Sequence, residues 1–300
     1  MHVGGSGPYG RPNSFVTTDC HGRQVDRIPA PILAGLAALV HSNLLIATAA
    51  TSVAFVTMAL AGLPVDFLAL FIVFAATMFV YGLDRVLDLG SDARNVPGRA
   101  SVLRAYGTYW LAIGVALYLA AVAVAVLRGI PGAGFLVLPL AVAVVYSLGR
   151  VKRLLLVKNL LVGGAWGAIP LGVGVYFGVL WRAEILFLAA YFTAMLTIAA
   201  AVFDIKDIEG DSRLGVRTLP TAFGPAFTRR VAAAATLLVG LCVVAAGVVL
   251  SGDLLVLLAM VGYVLAYIPF ATTDRGSLFY GLVVDGEHVL LAVVVILLGL

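Results

Sequence analysis

Two runs of acidic residues have the spacing of a metal site, and each could place its carboxylates on one face of a helix. The acids are Asp84, Asp88 and Asp92 in the first run, and Asp204, Asp207, Glu209 and Asp211 in the second. Together they are seven of the chain's 15 acids. Spacings of three and four residues align the aspartates of each run, whereas Glu209 points to another side. Six aligned carboxylates would repel one another, which predicts a cation between them.

The chemistry that fits these carboxylates is the binding of a diphosphate through Mg²⁺. Hard carboxylate oxygens suit Mg²⁺, which is usually held by a few carboxylates together with substrate phosphates. Arginine and lysine bind the remaining phosphate oxygens. The basic residues that flank the two runs are Arg94, Arg99, Lys152, Arg153, Lys158, Lys206, Arg213 and Arg217. The alternative is that these charges are solvated helix ends and basic loops that only set membrane orientation.

The elements that must position these residues are membrane helices. Of the 300 residues 62% are hydrophobic and only 11% are charged, whereas soluble domains carry about a quarter of charged residues. Most of the apolar segments are long enough to cross the hydrocarbon layer, which takes about 20 helical residues. The nine predicted spans are 31–61, 66–84, 105–127, 133–148, 159–180, 184–205, 228–250, 254–273 and 277–300. The sequence therefore predicts an all-α, polytopic membrane protein with nine transmembrane helices.

The distribution of basic residues predicts the orientation of the helices. Residues 1–29 are rich in Gly, Pro and polar groups, which predicts a disordered cytoplasmic tail and not a signal peptide. With that tail inside, 17 of the 19 Lys and Arg residues lie on the cytoplasmic side, and Arg128 and Arg182 are outside. We expect a multi-pass cell-membrane domain over 30–300 with its C-terminus outside. Both acidic runs then lie at cytoplasmic helix ends.

The acidic runs resemble the paired motifs of the UbiA-type intramembrane prenyltransferases. The first run is similar to the family's NxxxDxxxD motif, which a basic residue, Asn, Pro and Arg follow. The matching residues here are Asp84, Asp88, Asp92, Arg94, Asn95, Pro97 and Arg99. Asp207-xxx-Asp211, with Asp204 before it, is similar to the family's second motif, and 146–159 (YSLGRVKRLLLVKN) resembles its loop between the fourth and fifth helices. One departure is Asp84, which stands where the family has Asn and adds a negative charge.

The resemblance implies a helix bundle around a central cavity that opens to the cytoplasm and to lipid. It implies Mg²⁺ held by Asp84, Asp88, Asp92, Asp204, Asp207 and Asp211. It implies substrate contacts from Asn95, Arg99, Lys152, Arg153, Asn159, Lys206 and Arg217, with Asp88, Asp207 and Lys152 most directly involved in catalysis. The expected partners are a polyprenyl diphosphate donor, an aromatic (quinone-type) or lipid acceptor and the bilayer, and no nucleic acid.

Two other functions also use membrane-embedded aspartates. A cation-coupled transporter places its carboxylates near the bilayer midplane, often at broken helices of inverted repeats, whereas both runs here lie on one membrane side. A CDP-alcohol-type phosphotransferase uses a single aspartate run, which would leave the second run unexplained. Prenyl transfer accounts for both runs.

A third polar group interrupts the ninth apolar segment at Asp285, Glu287 and His288. Only 12 residues follow His288, which is too short for a span, so these groups are predicted to lie within the membrane. Asp285 and His288 are three residues apart and share a helical face, whereas Glu287 is turned away from Asp285. We expect Asp285 to orient His288, which would hydrogen-bond the acceptor or take its proton. The alternative is a polar pair that only pins the ninth helix to its neighbours.

Overall fold

The computed structural model is a bundle of α-helices that describes residues 30–87, 97–141, 156–213 and 215–300. Its main compact unit is Ala37–Leu300, and the short unit before it contributes only the start of α1. The α-helices are α1 Ala30–His41, α2 Leu44–Leu60, α3 Phe67–Leu87, α4 Pro97–Leu127, α5 Val157–Tyr176, α6 Ala183–Phe203, α7 Ile208–Arg213, α8 Leu219–Phe223, α9 Pro225–Val249, α10 Leu258–Tyr267, α11 Ser277–Phe279 and α12 Glu287–Leu298. Short 3₁₀ helices cover Ala133–Leu136, Asp204–Asp207, Gly252–Leu257 and Ile268–Phe270, and a π-helix covers Tyr280–Val284.

The all-α membrane class is confirmed, since no strand occurs in the described ranges and seven helical spans are long and apolar enough to cross a bilayer. These spans are Phe67–Leu87, Gly107–Leu127, Val157–Tyr176, Ala183–Arg213, Pro225–Val249, Gly252–Phe270 and Tyr280–Leu298. They correspond to the second, third and fifth to ninth predicted segments. The first segment contains the 17-residue α2, and the fourth is described only as far as residue 141.

The first predicted segment, 31–61, is not one continuous helix. The structure divides it into α1 and α2 at Ser42 and Asn43, and Asn43 has a φ of 66°. Asn adopts this left-handed conformation more readily than most residues, which explains how the helix is interrupted without Gly or Pro. Just before the break, Val40 packs against Gly281 of the π-helix near the other end of the chain.

The outer surface is as apolar as the interior, which is expected for a bundle surrounded by lipid. Leu241 and Val248 of α9 and Leu297 of α12 have more than 60% of their surface exposed. In water such a surface would drive association, whereas lipid chains solvate it. The interior is filled by large buried side chains, among them Phe192 and Met260.

Close packing of α5 against α6 fixes the helix pair that carries the second acidic run. Gly163 and Gly167 of α5 face Thr197 and Thr193 of α6, and a Cβ on either glycine would lie about 2 Å from a threonine Oγ1. Small residues four apart let membrane helices approach in this way. Each threonine hydroxyl is bonded to a carbonyl of its own helix, at 2.7 Å, so it adds no unpaired polar group. The result is a fixed register between the start of α5 and the end of α6.

Candidate functional site

Asp204 lies where α6 ends and is held by two residues from the first turn of α5. Its carboxylate accepts hydrogen bonds from Lys158 Nζ at 2.7 Å and from Asn159 Nδ2 at 2.9 Å. Asp204 is 3% exposed, so a carboxylate without these partners would be costly. Asn159 was predicted to contact substrate, and here its amide orients Asp204. The α5–α6 packing is what brings these residues together, since they are far apart in sequence.

The other two aspartates of the second run extend the same cluster. Lys206 Nζ donates to both carboxylate oxygens of Asp207, at 2.8 and 2.7 Å, and it lies 4.5 Å from the centre of the Phe203 ring. Asp211 is buried, and its Oδ2 has no hydrogen-bond partner in the described part of the chain. The charges of Lys158, Asp204, Lys206 and Asp207 all act on Asp211. We call these five residues, with Asn159, the acid–lysine cluster.

The acid–lysine cluster has the composition of a divalent-metal site. It offers oxygen ligands from three carboxylates, and one of the buried oxygens is unpartnered. Without a metal ion, Lys158 neutralises the Asp204 carboxylate and Lys206 neutralises the Asp207 carboxylate. Within the described residues no three His, Cys, Asp or Glu side chains are grouped closely enough to hold a metal by themselves. The residues fit Mg²⁺ when it is shared with substrate oxygens, which is how proteins usually hold it.

Glu209, Arg213 and Arg217 lie outside the acid–lysine cluster. Glu209 is exposed, as the helical arithmetic predicts, and it forms an ion pair with Arg213, which is exposed as well. An exposed pair four residues apart contributes little to stability. Arg217, which was predicted to contact substrate, is also exposed and follows the turn at Gly215.

Most of the first acidic run lies outside the described residues. Asp84 is half-buried near the C-terminal end of α3, and the next residue, Arg85, reaches the Val40 carbonyl at 3.4 Å. Arg99 lies in the first turn of α4. The predicted site residues outside the described ranges are Asp88, Asp92, Asn95, Lys152 and Arg153. The meeting of the two acidic runs therefore stays a prediction.

An apolar cavity of about 470 Å³ lies among α3, α4, α5 and the segment after α4. Its walls include Val73 and Tyr81 of α3, Phe135, and Trp166 and Ile169 of α5. Trp166 Nε1 donates a hydrogen bond to the Tyr81 hydroxyl at 3.1 Å, so the indole N–H on this wall is satisfied. We call this cavity the chamber, and its size is within the range of sites for organic ligands.

The polar residues of the last span are arranged differently from the prediction. The carboxylate next to His288 is that of Glu287, whose Oε1 is 3.8 Å from His288 Nδ1. Asp285, the predicted partner, is half-buried. The spacing of a regular helix predicted that Glu287 turns away from Asp285. The π-helix over Tyr280–Val284 ends before these residues, and Asp285 and Gly286 form a turn, so no regular helix runs from Asp285 to His288. Glu287 and His288 are almost completely buried.

Two contributions to these sites were not identified from the sequence. Lys158 was counted only among the flanking basic residues, because nothing local indicates that it meets Asp204 across two helices. Tyr267, whose hydroxyl donates to Glu287 Oε2 at 2.8 Å, was not identified at all. An apolar helix commonly contains a tyrosine, so only the fold reveals that its hydroxyl faces a buried carboxylate.

The fold and the acid–lysine cluster define an integral membrane protein with an ionic site at one end of a helical bundle. The sequence profile of the UbiA prenyltransferase family matches residues 44–276, and the chain belongs to that family. It is therefore an intramembrane prenyltransferase, and the transporter and phosphotransferase alternatives are set aside. Members of this family generally use a divalent metal.

Two solved structures share the fold. One is described as the apo structure of a UbiA homolog from Aeropyrum pernix K1, with a TM-score of 0.64, 18% identity, and coverage of 85% of this chain and 98% of that one. The other is described as giving insights into the biosynthesis of digeranylgeranylglyceryl phosphate synthase in membranes; its TM-score is 0.52 at 16% identity, with coverage of 88% and 96%. No curated protein sequence matches this chain significantly.

Proposed function

We propose that this protein transfers an isoprenyl chain from a polyprenyl diphosphate to a hydrophobic acceptor, and that Mg²⁺ is its metal. The acid–lysine cluster binds the diphosphate, and the chamber receives the isoprenyl chain. The observation that carries the proposal is the cluster itself, in which three aspartates and two lysines from two membrane spans meet at one end of an apolar bundle. A diphosphate needs both charges, since metal ions and ammonium groups share its oxygens.

Asp204, Asp207 and Asp211 would hold the metal, together with the aspartates of the first run. When bound, Mg²⁺ withdraws negative charge from the diphosphate and makes it a better leaving group. Asp211 has the free oxygen for this purpose in the buried part of the cluster. Asn159 keeps the Asp204 carboxylate in one orientation through its hydrogen bond.

Lys158 and Lys206 neutralise the aspartates when no substrate is bound, and they transfer to diphosphate oxygens when the donor arrives. In the reaction the bond between C1 of the isoprenyl chain and the diphosphate oxygen breaks, and the diphosphate leaves with the electron pair. The acceptor forms a new bond to C1 and loses a proton. The lysines stabilise the charge that grows on the leaving oxygen. The apolar walls of the chamber exclude water, which would otherwise capture the allylic cation.

The test compares the effects on prenyl transfer of substituting two nearby carboxylates, Asp207 and Glu209. The purified protein in nanodiscs receives radiolabelled farnesyl and geranylgeranyl diphosphates, and the acceptors are the membrane lipids of cells that lack its gene. We expect label transfer with Mg²⁺ and a loss of at least about 100-fold for Asp207→Asn, because the substitution removes a ligand and a charge from the transition state. Glu209→Gln is the matched control and should stay near the wild-type rate, because Glu209 is exposed and paired with Arg213.

Full label transfer by Asp207→Asn, or by the wild-type protein in EDTA, would contradict the proposed role of the cluster. Complete recovery with Ca²⁺ in place of Mg²⁺ would contradict the choice of metal and leave the transfer reaction in place.

A further inference from the structure

The Glu287–His288 pair contains polar atoms that the protein leaves unsatisfied. Both ring nitrogens of His288 and Oε1 of Glu287 are buried and have no hydrogen-bond partner among the described residues. The two residues are 1% and 0% exposed. Buried polar groups are nearly always paired, and ionisable residues within a membrane usually serve a function. Three unpaired atoms at one point therefore indicate a missing polar partner.

The local backbone is built to point this pair into the bundle. The π-helix Tyr280–Val284 ends immediately before Asp285, and α12 begins at Glu287. Gly286 joins them, and a Cβ at this position would lie 2.1 Å from the Leu282 carbonyl oxygen. No larger residue fits without moving the backbone. Single π turns inside membrane helices are frequent at functional sites, and here the turn directs two adjacent polar side chains inward.

Hydrogen bonds and aromatic faces surround the pair, and among the described residues no Lys or Arg forms an ion pair with Glu287 or His288. Tyr267 donates to Glu287 Oε2, and the Trp166 and Phe192 rings are 4.9 and 5.9 Å from the His288 ring, centre to centre. The carboxylate of Asp285 acts electrostatically on Glu287 and adds a second acid to the region. Among the described residues, Glu287 forms no ion pair with Lys or Arg. A phosphate or carboxylate would be buried here without a counter-ion from the pair, whereas an uncharged hydroxyl group could both donate and accept.

Helix α5 relates this pair to the acid–lysine cluster and to the chamber. Asn159 and Trp166 are seven residues apart on α5, so they lie on one face about 10 Å apart along the axis. Asn159 holds Asp204 of the cluster, while Trp166 borders the chamber and contacts the His288 ring. The pair is therefore about two helical turns deeper than the diphosphate site. The Trp166 ring, which donates to the Tyr81 hydroxyl, is therefore a wall residue of the chamber that also contacts the pair.

We propose that Glu287 and His288 bind the polar end of the acceptor, and that this end is an uncharged hydroxyl, as in an alcohol or a phenol. The inference rests on the proposed prenyl transfer and names its acceptor class. The hydroxyl hydrogen bonds to Glu287 Oε1, and a His288 nitrogen bonds to the hydroxyl oxygen. Anionic acceptors, such as phosphate-bearing lipids, are disfavoured, because no Lys or Arg ion pair among the described residues at Glu287 and His288 would offset the burial of their charge.

The first experiment sorts acceptors by charge without requiring their identity. Membrane lipids from cells that lack the gene are separated by anion exchange into neutral and acidic fractions. Each fraction is incubated with the wild-type protein, Mg²⁺ and the two labelled diphosphates. We expect at least a tenfold excess of labelled product from the neutral fraction. Product from the acidic fraction alone would overturn the inference and keep the prenyl transfer, while absence of product from both would overturn the proposed function.

The second experiment tests the residues. Glu287→Gln and His288→Gln should each raise the acceptor KM at least tenfold and leave the donor KM unchanged. The matched control is Thr236→Val, which also removes a fully buried polar group, but one that is bonded within its own helix. Equal acceptor KM values for all three variants and the wild type would overturn the inference. If gel filtration shows that the variants do not fold, the fractionation experiment still tests whether the acceptor is uncharged.

Discussion

At the residue scale, the second acidic run contains charged side chains that are buried in the bundle and others that are exposed on its surface. Asp204 and Asp211 are buried, whereas Glu209 and Arg213 are exposed and paired with each other. The same contrast distinguishes two arginines that look alike in the sequence. Arg213 already has an acid partner, while Arg217 is exposed beyond the turn at Gly215.

This contrast predicts different effects of removing the two arginines. Arg217→Ala should raise the donor KM about tenfold, because the exposed guanidinium, which forms no ion pair among the described residues, can bind diphosphate oxygens. Arg213→Ala is the matched control and should change the KM less than twofold, since an exposed ion pair contributes little. Initial rates over a range of labelled diphosphate concentrations would measure both. Equal and small effects would assign both residues to membrane orientation alone.

At the element scale, the packing of α5 on α6 holds the cluster together, and glycines permit the close approach. Gly163 and Gly164 are neighbours, but they face different surroundings. A Cβ at Gly163 would be 2.5 Å from the Thr193 carbonyl oxygen and closer still to the Thr197 hydroxyl, whereas Gly164 has open space around it. The pair offers a matched test of the helix contact.

Gly163→Ala should reduce the stability of the protein by about 1–3 kcal/mol, the usual cost of overpacking. It should also reduce prenyl transfer, because separating the helices weakens the contact of Lys158 and Asn159 with Asp204. Gly164→Ala should retain the wild-type activity and be equally or more stable, since Ala favours a helix more than Gly does. Thermal unfolding in detergent and label transfer would be measured on both. Equal stability of the two variants would contradict the proposed packing role.

Sequence periodicity predicts the direction of side chains within one regular helix. It does not predict contacts between two helices, and it fails where the helix is interrupted by an irregular turn. It predicted that Glu209 points away from the aspartates and that polar groups lie within the last span. It could not predict that Lys158 meets Asp204, because that contact depends on the α5–α6 register. It did not predict that the Glu287 carboxylate lies 3.8 Å from the His288 ring, since it assumed a regular helix where a π-helix is followed by a turn at Asp285 and Gly286. It also treated 31–61 as continuous, because neither Gly nor Pro indicates the break at Asn43.

At the scale of the whole molecule, the orientation in the membrane decides which compartment supplies the diphosphate. Basic residues predict that the acid–lysine cluster faces the cytoplasm. Exposed positions at both ends of the bundle allow this to be measured. Ser212 is next to the cluster, and Trp181 lies in the turn between α5 and α6 at the opposite end.

Single cysteines at these positions should react from opposite sides of the membrane. In a background with Cys20→Ser and Cys242→Ser, we expect Trp181→Cys to be modified by an impermeant maleimide in intact cells. Ser212→Cys should react only after the cells are opened, because 17 of the 19 basic residues are placed on its side. The reverse pattern would show that the bundle is inverted and that the donor is supplied from outside.

The contact between the first and last parts of the bundle has a consequence for biosynthesis. Helix α2 packs against α12, and Val40 packs against Gly281, although nearly the whole chain separates these residues. The bundle therefore closes only after the last span has left the ribosome and entered the bilayer. Until then the earlier spans present an open seam, which lipids or insertion chaperones must cover. The cluster at Asp204 can assemble before that moment, whereas the Glu287–His288 pair arrives only with α12.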